Sequence, residues 1–370
     1  VWTPYGWSAM TRMDALMRRE MARTKHGEVY FPLLIPETEF QKEAEHIRGF
    51  ADEVYWVTRA GKNELDIPLC LRPTSETAMY PIFALWIRSH ADLPLKVYQI
   101  CSTFRYDTKQ TRAFFRVREI HFFEAHTAHV DEADAERQIR EDLEVMEALG
   151  RALCVPYLVL RRPEWDKFPG AYYSLAADAY TPAGRTLQVA TFHHYRDNFA
   201  KAYNVTYEAE DGTRRFVHQT TYGMSERLLG AIVAIHGDDK GVVLPPAVAP
   251  VQVVVVPIPE KGRQDVILDE AKRLAAELGE HARVEIDARD LRPGAKFYEW
   301  EAKGVPLRLE LGPRDLAGGV VTAARREASG RTTIPRGEVA EGVRKLLREI
   351  QGDMYARAER LLREGIVDIA

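Results

Sequence analysis

The chain has 370 residues, of which 46% are hydrophobic, and its formal net charge is -4. This length favours two or more domains, and the hydrophobic fraction is large enough for well-packed cores. The slightly acidic balance excludes a generally basic, nucleic-acid-coating protein, although a local basic groove is compatible with it. No apolar run reaches the length of a membrane span and the first residues lack a signal-peptide pattern, so no membrane association is expected.

The first helices and strands are predicted from periodicity. Residues 7–25 place Met and Leu side chains on one face of a helix that Gly27 is expected to end. The EVYFPLLIP run that follows is typical of an edge strand, because its prolines cannot donate to a central ladder. A polar helix is predicted over 39–49, a hairpin over 53–71, and a further helix that opens at 74–76.

The most informative segment is 97–129, VYQICSTFRYDTKQTRAFFRVREIHFFEAHTAH. Its two runs alternate with the strand period, which predicts an antiparallel hairpin with DTKQT at the tip. Such a hairpin would aim Arg105 and Arg116 at a common point, where planar, permanently charged guanidinium groups suit phosphate. The alternative is an ordinary solvated charged face. The interleaved aromatic residues favour a nucleotide site.

The rest of the chain divides into two parts. A charged amphipathic helix is predicted over 131–150, strands through LVLRR, AYYSLAADAY and RTLQVATFHHY, and a closing helix over 226–236. The proline-rich segment 238–252 is predicted to be a linker. Strands then alternate with helices up to a long helix over 339–364, which indicates a compact α/β module.

The three cysteines, Cys70, Cys101 and Cys154, are far apart and odd in number. They form neither a disulfide framework nor a paired-cysteine metal motif, so a cytoplasmic location is expected. HTAH at 126–129 places two histidines close together, but it lacks a nearby third ligand, and no zinc site is expected there.

Several segments resemble the class II aminoacyl-tRNA synthetases, specifically the prolyl enzymes of the archaeal and eukaryote-like type. The FPLLIP run with Pro36 is similar to motif 1 of that class, FRYD through RVREI to motif 2, and YGMSERLLGAIV with Arg227 to motif 3. The resemblance narrows to the prolyl enzymes through LRPTSET, EAHTAH, LQVATFHH and HGDDKGVVLPP.

The resemblance implies an α/β (α+β) fold. A class II antiparallel-sheet catalytic domain is expected over 1–245 and a mixed-sheet α/β anticodon-binding domain over 246–350, followed by the start of a C-terminal helical extension over 351–370. It also implies a homodimer formed through motif 1, for which the Met-rich helix and the proline-bearing strand would suit a partner surface.

The implied activity is ATP-dependent ligation of L-proline to the 3′ end of proline tRNA through a prolyl-adenylate, with ATP and Mg²⁺ as cofactors. Fixed arginines and Mg²⁺ can stabilise the charge that develops on phosphate without a dedicated general base. By resemblance, Arg105 contacts the α-phosphate and the proline carboxylate, Arg116 the outer phosphates, and Arg227 the γ-phosphate beside adenine. The ribose and phosphate side would be lined by Gln188, Thr191 and His193.

For proline itself, the resemblance implies that Thr74 and Glu76 accept the two N–H donors of the ammonium group. An ordinary helix-capping role for Thr74 stays open as the alternative. Phe122 and His126 would form the apolar slot for the ring.

The chain departs from the family at three positions. The family usually has tryptophan at Phe122, an aromatic residue at Ile120 beneath adenine, and glutamate at Asp107. The shape of the ring slot and the nucleotide contacts are therefore open.

The C-terminal module would bind the anticodon through Arg289 and Lys296 in DARDLRPGAKFYEWE, because cationic groups can both neutralise phosphate and bind guanine edges. An ordinary solvated loop and helix is the alternative. Two other functions also stay open: another class IIa synthetase such as the threonyl enzyme, which would need zinc ligands in its amino-acid pocket, and a non-catalytic synthetase-like tRNA-binding protein.

Overall fold

The computed structural model describes residues 1–42, 53–106 and 110–367. Most of the polar helix predicted over 39–49 lies outside these residues, as do Asp107 and most of the predicted hairpin tip. A short helix, Glu37–Phe40, is present just before the first gap. In the described part of the chain, no helix has both the length and the apolar character that a membrane crossing requires.

A seven-stranded sheet forms the centre of the first part of the chain. Its order is β1-β5-β6-β12-β9-β8-β7, and all neighbours are antiparallel except β1 with β5. This confirms the predicted antiparallel-sheet domain. The strands are β1 (Gly27–Glu28), β5 (Leu95–Phe104), β6 (Glu119–His129), β7 (Tyr157–Arg161), β8 (Tyr173–Thr181), β9 (Arg185–Arg196) and β12 (His218–Ser225).

Two smaller sheets flank this one. The hairpin predicted over 53–71 is confirmed, since β3 (Trp56–Ala60) pairs with β4 (Asn63–Leu71), which also pairs with β2 (Leu34–Pro36). The other small sheet pairs β10 (Thr206–Glu208) with β11 (Arg214–Phe216).

The helices of this part cover the sheet with their apolar faces. Helix α4 begins after Asp131, whose carboxylate accepts a hydrogen bond from the Asp134 amide at 2.7 Å, as expected for an N-cap. Its buried residues, including Met146 and Leu149, share one core with Phe192 and Tyr222 of the sheet. The helices are α1 (Pro4–Arg23), α2 (Glu37–Phe40), α3 (Glu76–Trp86), α4 (Glu132–Leu153), α5 (Asn198–Tyr203) and α6 (Arg227–His236).

Helix α1 corrects two predictions. Its Met-rich face packs inside its own chain, where Met10, Met13, Met17 and Met21 are at most 3% exposed, so it is not a partner surface. The helix also ends before Gly27: Arg23 is its last residue, Lys25 takes the left-handed conformation at φ 61°, and Gly27 begins β1. Helical periodicity indicated that this face is buried, but it could not show whether the face packs within the chain or against a partner.

The predicted hairpin of 97–129 is confirmed as an antiparallel pair, in which Val97 faces His126 and Phe104 faces Glu119. The second strand begins later than the alternation suggests. Phe114 has a positive φ of 65°, and Arg112 and Arg116 form only an isolated bridge. We call residues 105–118 the motif 2 connection; among its described residues, Phe114, Phe115, Arg116 and Val117 line a cleft together with residues of the sheet.

The C-terminal module has a five-stranded sheet of order β14-β13-β15-β16-β17, in which β13 is parallel to β14 and β15 while β16 and β17 are antiparallel. The predicted mixed sheet is therefore confirmed. Its elements are β13 (Val253–Pro257), α7 (Gln264–Gly279), β14 (Val284–Ile286), α8 (Pro293–Ala302), β15 (Leu307–Leu311), α9 (Pro313–Gly318), β16 (Val320–Arg325), β17 (Thr332–Pro335) and α10 (Val339–Glu364). The short elements α9 and β17 were not predicted.

Segment 238–252, predicted to be a linker, is packed between the two parts. Leu244, Val248 and Ala249 are buried in the core of the first part. Gly241 has φ 132°, and a Cβ there would lie 2.6 Å from the Ala302 carbonyl oxygen, so only glycine fits this approach. Helix α10 runs without interruption past residue 350 and contributes Ala358 to the same core.

Candidate active site

A cleft opens over the seven-stranded sheet between the motif 2 connection and the start of α6. Its floor comes from β6, β8, β9 and β12, and its ends from the start of α3 and the loop after β7. All but one of the residues predicted to bind ATP or proline line it: Thr74, Glu76, Arg105, Arg116, Phe122, Gln188, Thr191, His193 and Arg227. Ile120 lies in the same wall.

Arg105 and Arg227 both line the cleft, and each is fixed by backbone carbonyls. Arg105 follows β5, its Nε donates to the Pro73 carbonyl at 2.9 Å, and its guanidinium carbon lies 5.8 Å from the centre of the Phe122 ring. Arg227 is the first residue of α6 and donates to the carbonyls of Gln188 at 3.3 Å and Phe115 at 3.1 Å. With Arg116 in the same wall, the cleft gathers three guanidinium groups and favours a polyanion.

Gly230 allows the motif 2 connection to lie against α6. A Cβ at this position would be 2.8 Å from Phe114 Cβ and 3.2 Å from Phe115 Cε1. Since Phe115 also accepts a hydrogen bond from Arg227, this close approach holds that arginine toward the cleft.

At the other end of the cleft, Glu76 supplies a buried carboxylate that is 1% exposed. The Thr74 hydroxyl donates to its Oε2 at 2.5 Å, and the Tyr195 hydroxyl donates to its Oε1 at 2.8 Å. The N-cap residue of α3 is Ser75, so Thr74 does not have the capping role that the sequence left open. A buried carboxylate at a cleft wall suits an incoming ammonium group, because the cation offsets its desolvation.

His193 is a neutral member of the wall. Its Nδ1 lies 2.8 Å from the Ser174 hydroxyl, and its ring stacks on Phe168 with 4.5 Å between the ring centres. Burial, helped by the positive charge of Arg105, lowers the pKa of His193 to about 3. This side chain therefore offers a hydrogen bond and a flat surface rather than a charge.

His126 corrects the prediction of a Phe122 and His126 ring slot. Both residues lie on the same face of β6, but α3 covers the strand beyond Phe122, so His126 is fully buried beneath the cleft. Its Nε2 lies 3.1 Å from Glu124 Oε2 and its Nδ1 lies 3.2 Å from the Tyr80 hydroxyl. His129 is on the opposite face of the strand, paired with Asp134 at 2.9 Å, so the two histidines do not converge.

Several wall residues were not predicted, and the loop after β7 supplies three of them: Arg162, Asp166 and Phe168. Arg162 donates to Asp178 at 2.8 Å and to the Gln188 side chain at 3.0 Å, so it fixes a predicted residue. The segment RRPEWDKFPG combines cationic and aromatic residues between two predicted strands, which was the available signal.

Glu226, next to the motif 3 arginine, is a further wall residue that was not predicted. Its Oε2 has no hydrogen-bond partner within the described residues, and burial raises the pKa of this carboxyl to about 7. A buried carboxylate oxygen without a partner is a place where a cation can be held.

In the C-terminal module, the two residues predicted to bind the anticodon differ in their exposure to solvent. Arg289 is 45% exposed and pairs with Asp287 and Glu299, each at 2.7 Å. Lys296 is 2% exposed, and its ammonium donates to the Asp287 carbonyl at 2.9 Å. The prediction that Lys296 contacts a base is wrong for this structure, because α8 turns that side chain inward to hold the 287–292 loop.

Comparisons with known proteins agree with this architecture. Residues 55–236 match the family model described as tRNA synthetase class II core domain (G, H, P, S and T). Residues 252–346 match the model of an anticodon binding domain. Both domains were predicted from the sequence.

Two solved structures share the fold with a TM-score of 0.94. One is the Giardia lamblia prolyl-tRNA synthetase in complex with prolyl-adenylate, which is 37% identical and is matched over 97% of this chain and 76% of that one. The other is the Cryptosporidium parvum prolyl-tRNA synthetase complexed with halofuginone and AMPPNP, which is 36% identical over 100% of this chain and 77% of that one.

Curated relatives are more similar still. The proline–tRNA ligase of Thermococcus kodakarensis is 58% identical over 368 residues, which are 99% of this chain and 76% of that protein. The Methanosarcina mazei proline–tRNA ligase is 53% identical over 370 residues, which are 100% of this chain and 77% of that protein. The threonyl-like and non-catalytic alternatives are not favoured by these matches, and the chain belongs to the proline–tRNA ligase family of class II aminoacyl-tRNA synthetases.

Proposed function

We infer that the chain activates L-proline with ATP to form prolyl-adenylate and transfers the prolyl group to the 3′ end of proline tRNA, the reaction of its family. One observation carries this inference: a single cleft joins the Thr74 and Glu76 pair to three arginines. A cation-binding end next to an anion-binding floor suits an amino acid that lies beside a triphosphate.

In the first step, the proline ammonium donates its two N–H groups to Glu76 and Thr74. Arg105 binds the proline carboxylate and the α-phosphate, so that a carboxylate oxygen faces the α-phosphorus. That oxygen forms the new bond to phosphorus as the bond to pyrophosphate breaks. The carboxylate is already ionised, so no general base is needed, and stabilisation of the charge on phosphate provides the catalysis.

The other wall residues orient the two substrates. Arg116 and Arg227 bind the outer phosphates, with Arg227 beside the adenine. Phe122 contacts the proline ring, and Ile120 lies under the base. The ribose and phosphate side is lined by Gln188, Thr191 and the neutral His193.

The family uses Mg²⁺ with ATP, and the residues present fit such an ion. Glu226 is the wall carboxylate with a buried oxygen that lacks a hydrogen-bond partner within the described residues. Mg²⁺ is held in such sites by one or two carboxylates together with phosphates and water, and when bound it neutralises phosphate charge. We assign Glu226 as the residue that would hold it.

The second substrate is proline tRNA, and the proposed division of labour follows the domains. Residues 1–245 carry the chemistry, 246–350 bind the anticodon with Arg289 as the accessible cation, and 351–370 begin a C-terminal extension. We also propose a cytoplasmic homodimer. The motif 1 segment supports it, because Tyr30 is 79% exposed and Leu34 is 40% exposed.

The experiment is ATP–pyrophosphate exchange measured with each of the twenty amino acids, followed by charging of a proline tRNA transcript. Exchange is expected with proline, and charging is expected to depend on that tRNA. Exchange with threonine alone, or with no amino acid, would contradict the proposal.

A further inference from the structure

A buried polar cluster lies directly beneath the amine end of the cleft, outside its walls. At its centre is Glu124, a residue of β6 that is completely buried. Its Oε1 accepts hydrogen bonds from the Ser75 hydroxyl and, at 2.8 Å, from the Gln99 amide. Its Oε2 accepts from the Ser75 backbone amide at 3.2 Å and lies 3.1 Å from His126 Nε2. The proposed reaction uses none of these groups.

The cluster balances its own charge. Burial lowers the pKa of His126, but the hydrogen bond and charge of Glu124 outweigh it, and the pKa is raised overall. Burial likewise raises the pKa of Glu124, but its hydrogen bonds, above all to His126, lower it to about 2. His126 therefore compensates the charge of Glu124 within the cluster.

Hydrogen bonds from this cluster to two residues, Ser75 and Tyr80, hold α3 against β6. Ser75, the N-cap of the helix, binds Glu124, and the Tyr80 hydroxyl lies 3.2 Å from His126 Nδ1. These two contacts lie on either side of Glu76 in the sequence. The Thr74 hydroxyl is also 3.4 Å from Glu124 Oε2. The start of α3 therefore cannot slide or rotate without breaking buried hydrogen bonds, which is costly in a low-dielectric interior.

We propose that Glu124, with His126 as its counter-charge, is a positioning residue that sets the affinity for the amino-acid substrate by holding Thr74 and Glu76 in place. The proposal rests on the proposed function and deepens it. Neither residue lines the cleft, so neither touches proline. His126 acts through Glu124 and α3 rather than through the ring slot.

The test is the substitution Glu124→Gln, which keeps the shape of the side chain and removes its charge. In pyrophosphate exchange, the KM for proline is expected to rise by about tenfold or more while the KM for ATP stays within about twofold. A residue that served stability alone would reduce the amount of active enzyme, and hence kcat, with both KM values unchanged. Ser75→Ala removes one contact to the same carboxylate and is expected to raise the KM for proline by about threefold.

Asp142→Asn is the matched control. Asp142 is a buried carboxyl on α4 whose partner is Gln138 at 2.9 Å, and burial raises its pKa to about 8. Because it is uncharged near neutral pH and lies outside the cleft, its substitution is expected to leave both KM values unchanged.

Three results would overturn the proposal. Equal changes in the two KM values of Glu124→Gln would do so, as would no change in either. If that variant does not fold, an unchanged KM for proline in Ser75→Ala would decide against it. Absence of proline-dependent exchange in the unsubstituted chain would instead overturn the proposed function, and this inference with it.

Discussion

At the scale of single residues, the charged groups of the cleft differ in whether their charge changes with pH. Arg105 is permanently charged and fixed by the Pro73 carbonyl, whereas Glu226 titrates near neutral pH because it is buried. The first group can serve as a constant contact to phosphate. The second changes the charge of the wall within the physiological range.

The substitution Arg105→Lys tests the contact between Arg105 and phosphate. Lysine keeps the charge but loses the planar fork that can bind a carboxylate and a phosphate together. We expect kcat/KM for pyrophosphate exchange to fall by roughly 10²-fold, the cost of removing one donor that acts on the transition state. Arg214→Lys, on the exposed strand β11, is the control and is expected to retain activity. A loss below about tenfold would show that Arg105 is not needed at the reacting phosphate.

Glu226→Gln tests the titrating group through stability. The folded chain keeps the Glu226 proton up to about pH 7, whereas the unfolded chain loses it near its usual pKa of 4.5. The contribution of this proton to the free energy of unfolding is therefore present at low pH and is lost as pH rises through 7. Urea unfolding should show the variant gaining about 2 to 3 kcal/mol relative to the parent between about pH 5 and pH 8. A difference that is flat across this range would contradict the assignment.

At the scale of elements, the active site depends on how the motif 2 connection lies on α6. The contact is built from Phe114 and Phe115 on one side and Gly230 on the other. The Phe115 carbonyl oxygen accepts a hydrogen bond from Arg227, so a displacement of Phe115 would also displace Arg227. A substitution at Gly230, in the first turn of α6, is therefore expected to change the affinity for the nucleotide.

Gly230→Ala tests this contact. The added Cβ would lie 2.8 Å from Phe114 Cβ, so the connection must move away from α6. We expect the KM for ATP to rise several-fold and the free energy of unfolding to fall by about 1 to 3 kcal/mol. Gly352→Ala, in helix α10 with no atom within 4 Å of the new Cβ, is the matched control and should stabilise the chain by up to about 1 kcal/mol. An unchanged KM for ATP in Gly230→Ala would show that the contact between the motif 2 connection and α6 does not affect nucleotide binding.

At the scale of the whole molecule, the two modules are joined by packed and ionic contacts. Arg326, whose side chain is 2% exposed, binds both carboxylate oxygens of Asp238, at 2.6 and 2.8 Å, and the Glu301 carbonyl at 2.7 Å. The Gln351 amide of α10 donates to the carbonyls of Arg151 and Ala152. These contacts set the anticodon module relative to the cleft, which a bound tRNA must span.

The substitution Arg326→Gln tests whether these contacts fix the position of the anticodon module relative to the cleft. The proposed function places the chemistry of proline activation in the first part alone, so pyrophosphate exchange is expected to stay within about twofold of the parent. Charging of tRNA, which needs both modules in register, is expected to fall by about tenfold in kcat/KM. Arg331→Gln, whose partner Glu310 lies within the same module, is the control. Equal losses in the two assays would contradict a role in the relative placement of the modules.

The sequence allowed much of the site to be predicted, because its patterns are local. Alternation predicted the β5 and β6 pair, and helical periodicity predicted α1, α4 and α6. The start of β6 was misplaced because residues 114–118 alternate like a strand, although Phe114 takes a positive φ to pack on α6. The linker at 238–252 was misjudged because proline content shows where regular structure ends but not whether a segment is buried.

By itself, the sequence determined the order of the elements, the two modules, and the motifs that place Thr74, Glu76 and the three arginines. Only the tertiary structure decided what covers each of these faces. It placed His126 under α3, turned Lys296 inward and brought Arg162 and Glu226 into the wall. The physical reason is that periodicity is a property of one segment, whereas burial, and with it charge state and access to substrate, depends on which distant segment packs against it.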